Sequence, residues 1–303
     1  MNFIQRTENI TVCCLFLRKY SHIKCMGILN KIKLNFKRDN SFLLKPLMLL
    51  SVISAVSYGL KMLGVSAADK LLLVSIIVVI TATLIRHIKN IYKRISVALI
   101  LLIFFILYLN VYDDLIIFLA TKCENSGVNF GVINSLFTTF GLTDFQDLIY
   151  YTSYGGAKYI NGNIATGAVD IFLLNRSCRE ASMYLCGKYL SLFASLGIAF
   201  SLNKHRKAVF FITLFAFLTG NLTVYLLMLL FVFTPYYFLF LLFNFVCYFI
   251  ANVAEIKSGF SVDGSILELI VYRENITYIL ILGIFICAVS YYFSRLVKER
   301  RKW

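Results

Sequence analysis

The sequence predicts an all-α, polytopic transmembrane protein containing a re-entrant helical hairpin. Three observations predict it. Of 303 residues, 60 % are hydrophobic, against about 45–50 % in an ordinary soluble domain. Charged residues make up only 15 %, where about 25 % is usual. Apolar runs long enough to cross a bilayer recur along the chain, and the basic residues gather beside them. This composition excludes a disordered chain, which needs low hydrophobicity and few aromatics. It also argues against a soluble enzyme, because so few charges cannot cover so much apolar surface.

A spanning helix needs about 20 mostly apolar residues. The runs 47–65 and 71–85 are the first two candidates, turned at Asp69-Lys70. A third covers 95–120, its far half made polar by Asn110, Asp113 and Asp114. Residues 121–180 are mixed and rich in turn residues. The run 181–202 is the fourth candidate, a long block fills 208–254, and 276–293 closes the series. Residues 1–45 form a basic amino-terminal segment, 46–297 the membrane domain, and 298–303 a basic tail.

The formal net charge of +15 has the size of a nucleic-acid footprint, but its placement points elsewhere. Nine Lys/Arg lie in residues 1–45. Further clusters are Arg86–Arg94, Lys204–Lys207 and Arg295–Lys302, and together these four groups hold 21 of the 30 basic residues. Each abuts an apolar run, which is the distribution of the cytoplasmic side of a membrane protein. No nucleic-acid partner is expected. The eight cysteines include no CxxC pair, and the three histidines are far apart, so no metal or cofactor is expected. Cys123 and Cys178 share the outer side in this topology, where a disulfide could join them. Ile10–Leu17 is followed by no small-x-small cleavage site, which argues against a signal peptide.

The block 208–254 decides the topology. At 47 residues it is too long for one crossing. Two full crossings, starting from a cytoplasmic amino terminus, would put Arg295–Lys302 outside and violate the positive-inside pattern. A re-entrant hairpin removes the conflict: 208–218 and 222–233 are each too short to cross, and Thr219-Gly220-Asn221 breaks between them. Thr234-Pro235 then starts a true span, 255–275 falls outside, and the tail returns to the cytoplasm. Broken short helices at membrane depth are pointers to a substrate site.

The order of several motifs resembles the membrane-embedded enzyme IIC of the bacterial phosphotransferase system, in its glucose, N-acetylglucosamine and maltose branch. Gly141-Leu142-Thr143-Asp144 stands where that family has Gly-Leu-His-His. Tyr150-Tyr151-Thr152, Gly162-Asn163 and Cys186-Gly187-Lys188-Tyr189 follow in family order. Phe217-Leu218-Thr219-Gly220 matches the family's hairpin tip, Phe260-Ser261 before Gly264 its Phe-Ser-x-Gly, and Tyr291-Tyr292-Phe293 before Arg295 its closing motif. The likeness covers residues 130–297. Met26 would be a natural start for this family, which leaves 1–25 as an early start or a cytoplasmic tail.

The departures carry chemistry. The family's sugar-binding glutamate falls at Thr223, and its histidine pair at Thr143 and Asp144. A carboxylate accepts hydrogen bonds and protons from sugar hydroxyls, whereas threonine offers neither charge nor basicity. The resemblance implies a sugar or small-polar-solute permease, with Asp144, Thr143, Gly220, Asn221 and Thr223 as substrate-binding positions. The alternative is a degenerate, non-transporting scaffold that has kept the fold. No catalytic or phosphorylated residue is identified, so the chain is at most a permease subunit. Expected partners are the lipid bilayer, separate enzyme IIB and IIA chains, a second copy in a homodimer, and the solute. The expected location is the bacterial plasma membrane, multi-pass, with both termini cytoplasmic.

Overall fold

The computed structural model describes residues 41–64, 68–86, 111–124, 126–139, 143–160, 162–176, 178–202, 205–272 and 275–301. They belong to one compact unit, Ser41–Trp303. The basic segment up to Asn40 and most of the third expected span lie outside the described residues.

The described residues are mostly helical. We label the elements α1 (Leu44–Met62), α2 (Ala68–Arg86), α3 (residues 111–123), α4 (Gly127–Thr138) and α5 (Asp144–Tyr151). An antiparallel ladder β1 (Ala157–Ile160) and β2 (Asn163–Thr166) follows, then α6 (Ala168–Leu174) and α7 (Arg179–Ser201). The last elements are α8 (Arg206–Thr219), α9 (Thr223–Val232), α10 (Thr234–Val253), α11 (Ile266–Tyr272) and α12 (Ile276–Arg301).

Local chemistry sets these boundaries. The Ser126 hydroxyl caps α4 by accepting the Asn129 N–H at 3.2 Å. Pro235 occupies the first turn of α10, where its missing N–H costs nothing. The Asn161-Gly162 dipeptide is a tight-hairpin signal, and Gly162 has φ +89° between the two strands. The ladder is an addition to the all-α expectation, within the stretch the sequence marks as turn-rich.

Among the described residues four helices are long and apolar enough to cross a membrane: α1, α7 from Ala181, α10, and α12 to Glu299. No other described helix qualifies, and α2 contributes only the shorter apolar run Val74–Thr83. The helix α7 is the axis of the bundle. Of its apolar window 83 % is buried, against 22 % in α12, and it packs against both α10 and α12.

The distribution of side chains is inverted relative to a soluble protein. Phe238, Leu242, Phe245 and Phe249 line the outward face of α10, and Ile281, Ile284, Phe285 and Tyr292 that of α12. Meanwhile Asn134, Gln146, Lys188, Asn244, Asp263 and Glu268 are buried. Soluble monomers seldom expose apolar patches beyond a few hundred Å², so these outer faces suit lipid.

The block 208–254 divides where expected. The helix α8 ends at Gly220, α9 begins at Thr223, and Thr234 starts α10. At 14 and 10 residues, α8 and α9 reach about 21 and 15 Å at 1.5 Å per residue, short of a hydrocarbon core about 30 Å thick. Gly220 has φ +74°, a left-handed conformation that caps α8. A Cβ there would lie 2.4 Å from the Asp263 carbonyl oxygen. The break is therefore seated against the loop before α11, and glycine is required both by its φ and by that approach.

Candidate functional site

Around the α8–α9 break lies a narrow polar cavity of about 30 Å³, in this closed form room for about one or two waters. Eight chain segments converge on it, α9 through Leu226. Lys61 comes from α1, Asn134 and Thr138 from α4, Thr143 and Gln146 from the start of α5, Lys188 from α7, Gly220 and Asn221 from the break, Asn244 from α10, and Asp263 from the loop before α11.

Most of the neutral polar groups are already engaged. The Gln146 amide donates to the Thr138 hydroxyl at 2.8 Å, which donates to Asn134 Oδ1 at 2.8 Å. Asn244 donates to the Gly131 carbonyl and accepts from Ser191, both at 2.5 Å. At the tip, Asn221 Oδ1 accepts the Thr223 N–H at 3.0 Å, and the Thr219 hydroxyl accepts the Asn221 N–H at 3.2 Å. The break thus satisfies its own backbone with short side chains, as a helix end away from water must.

The loop before α11 is wound around one carboxylate. Glu268 Oε2 accepts the N–H groups of Ser261 and Val262, each at 2.8 Å, and the Ser261 hydroxyl at 3.1 Å. Its Oε1 accepts the N–H groups of Asp263 and Gly264 at 3.1 Å and Ser265 at 3.4 Å, together with Tyr58 Oη at 3.3 Å. Ser265 Oγ accepts the Glu268 N–H at 3.2 Å, which completes a reciprocal capping box for α11. This wrapping turns Asp263 outward. Lys61 Nζ lies 3.4 Å from Asp263 Oδ1 and 3.2 Å from Asp147 Oδ1, so one ammonium ties α1 to both α5 and the loop.

Lys188 is held differently. It is 6 % exposed and lies over two ring faces, 5.3 Å from the Phe260 centroid and 5.9 Å from that of Tyr150. Those rings meet edge to face at 5.3 Å. Burial pushes the Tyr150 hydroxyl well above the usual phenol range, so it supplies no negative charge. Behind them the Tyr248 ring is gripped between α4 and α7. A Cβ at Gly131 or at Gly187 would each fall 2.4 Å from its ring carbons.

The sequence-expected positions fare unequally. Thr143, Gly220 and Asn221 line the cavity. Thr223 does not; it is fully buried and its hydroxyl has no partner. Asp144 is also absent from the lining, in the first turn of α5. Sequence reasoning missed Lys61, Lys188, Asp263 and Glu268, having assigned the two acids to an outer loop. Two signals mark them. Ser265-Ile266-Leu267-Glu268 is a capping-box pattern before an apolar run, and Lys188 is a lone cation inside a spanning segment. Cys123 and Cys178 are buried thiols not joined by a disulfide, and among the described residues no group of His, Cys, Asp or Glu is arranged to hold a metal ion.

Compared with protein-family models, curated proteins and solved structures, the chain matches none.

Proposed function

We propose that this protein is a membrane permease-like protein that binds and passes a small polar solute, a sugar or a molecule of similar size, at the α8–α9 break. The observation that carries the reading is the polar cavity itself. It is closed by Lys61, Lys188, Asp263 and buried amides, and it sits where a helix pair too short to span is interrupted among helices that are long enough. Breaking a helix in lipid strands backbone groups at several kcal/mol each unless protein or water satisfies them, and a solute pathway is what repeatedly retains such breaks. On this reading α8 and α9 form a re-entrant hairpin entering from the cytoplasm, as in enzyme IIC. The acidic partner at the tip is then Asp263, contributed from across the cavity, where that family uses a glutamate in the hairpin.

The test is uptake into proteoliposomes of labelled glucose, N-acetylglucosamine, glucuronate and glucose 6-phosphate. Flux above protein-free vesicles is expected for at least one, and Leu226→Trp, which fills the cavity from α9, should stop it. Flux unaffected by Leu226→Trp would overturn the assignment to this cavity. A second reading, a degenerate scaffold, is favoured by Thr223. At the position of the family's glutamate it is sealed from the cavity. Absence of flux for every probe, with the chain folded and inserted, would select it.

A further inference from the structure

Resting on the solute-binding reading above, we infer that the solute is an anion, a small water-soluble molecule whose carboxylate or phosphate pairs with Lys188. The argument is a census of charge and donors at the cavity wall. Three charged residues line it: Lys61, Lys188 and Asp263. Lys61 and Asp263 are paired with each other, and Lys61 also with Asp147. Glu268 stands behind the wall, its two oxygens taken up by the amides of residues 261–265 and by Tyr58. Asp147 is likewise outside the lining.

Lys188 is the remainder. No described carboxylate lies within ion-pair distance of it, and no described acceptor hydrogen-bonds it. Asp263, Glu268 and Asp147 act on it only through space. Its neighbours at contact are the faces of Phe260 and Tyr150. Ring faces attract a cation but accept no strong hydrogen bond. A lysine 6 % exposed that lines the cavity and meets only ring faces on its protein side keeps its three donors for what the cavity holds. Beside it the wall keeps polar groups of both kinds, Gln146 giving its NH₂ to Thr138 and retaining Oε1 as an acceptor. Asn221 uses its Oδ1 on Thr223, which leaves its NH₂, and the Thr143 hydroxyl makes no cap bond. A lining ammonium with no ion-pair partner beside spare donors is complementary to an anion, whereas a neutral sugar would bring it no counter-charge at contact.

The experiment uses the full chain in a detergent without a sugar headgroup. Affinities for glucose, glucuronate, glucose 6-phosphate and inorganic phosphate are measured by calorimetry, with melting followed in parallel. The first two probes share a ring and differ in one carboxylate. Glucuronate or glucose 6-phosphate is expected to bind about tenfold or more tighter than glucose, the size of one charge-assisted hydrogen bond. Lys188→Met, which keeps the stem and removes the charge, should bring that ratio to within about twofold. It should also raise the melting temperature of the ligand-free protein, since it removes a buried charge that has no ion-pair partner; a merely structural lysine would lower it. Equal affinity for glucose and glucuronate in the wild type overturns the anion inference and leaves the polar-solute reading standing. No binding of any probe at millimolar concentration overturns both. Displacement of a bound anion by phosphatidylglycerol assigns the charge to a lipid headgroup and overturns the soluble-solute inference.

Discussion

Replacing Glu268 by glutamine tests how the cavity wall is built. The side chain keeps its length and shape, but one of its two acceptor oxygens becomes an NH₂ donor. In the wild type Oε2 faces two backbone N–H groups and the Ser261 hydroxyl, while Oε1 faces three N–H groups and Tyr58 Oη. The variant will place its NH₂ on the Oε2 side, where the hydroxyl can rotate and accept. That choice still strands the Ser261 and Val262 amides. A buried donor left without an acceptor costs about 1–3 kcal/mol, so two give about 2–6 kcal/mol before relaxation. The loop will shift to recover part of this, and a net loss of about 3 kcal/mol is expected. That corresponds to more than a hundredfold in the folding equilibrium.

The assay is reversible unfolding in mixed detergent, with hydrogen exchange read at residues 261–265. Exchange there should accelerate by a factor comparable to the stability loss, because local opening no longer has to strip a carboxylate of its donors. The Asp263 side chain would then lose its fixed place 3.4 Å from Lys61, so solute affinity should fall too. A variant within about 0.5 kcal/mol of wild type, a surface-substitution effect, together with unchanged exchange, would refute the claim that this carboxylate organises the loop.

Three other outcomes are expected. Gly220→Asn tolerates the left-handed φ but not the approach to Asp263, so it should destabilise nearly as much as Gly220→Ala; full tolerance of asparagine in thermal melting would mean that the tip is not seated on the loop. Gly131→Ala and Gly187→Ala should each cost about 1–3 kcal/mol by overpacking, and Tyr248→Leu should recover part of that loss in a double-mutant cycle. In a background free of other reactive cysteines, a cysteine replacing the exposed Lys257 should label from outside and one after Arg301 only from the cytoplasm; labelling of both from one face would remove the re-entrant hairpin.

Much of the architecture was legible because helices of membrane-crossing length follow a simple code. Length and hydropathy found the helices α1, α7, α10 and α12, and Thr219-Gly220-Asn221 marked the break between α8 and α9. In each case the signal is local: an apolar stretch of spanning length, or a glycine where a helix must stop. The β-ladder was legible too in principle, since Asn161-Gly162 is a hairpin signal on its own. What periodicity could not give is which polar residues meet. Lys61 and Asp263 are 202 positions apart and Lys61 and Asp147 are 86 apart, and nothing local in the sequence couples them.

The acids between α10 and α11 show why charge alone misleads. By sequence, Asp263 and Glu268 belong to 255–275, the stretch expected outside between two spans, yet both are buried. The burial of Glu268 depends instead on five consecutive backbone amides turning toward one point, a conformation that the Gly264 φ of +68° helps to permit. With those amides occupying both oxygens of Glu268, Asp263 is left to serve Lys61, and Lys188 feels the nearby carboxylates only through space. The lysine without an ion-pair partner in the cavity is thus a consequence of where the loop places its acids. The same chain of dependence predicts that Asp263→Asn, by removing one negative charge from beside Lys61, which keeps Asp147, and from the field at Lys188, should tighten anion binding. Weaker anion binding in that variant would show that Asp263 holds Lys61 in place for the solute, and that the two lysines do not act separately.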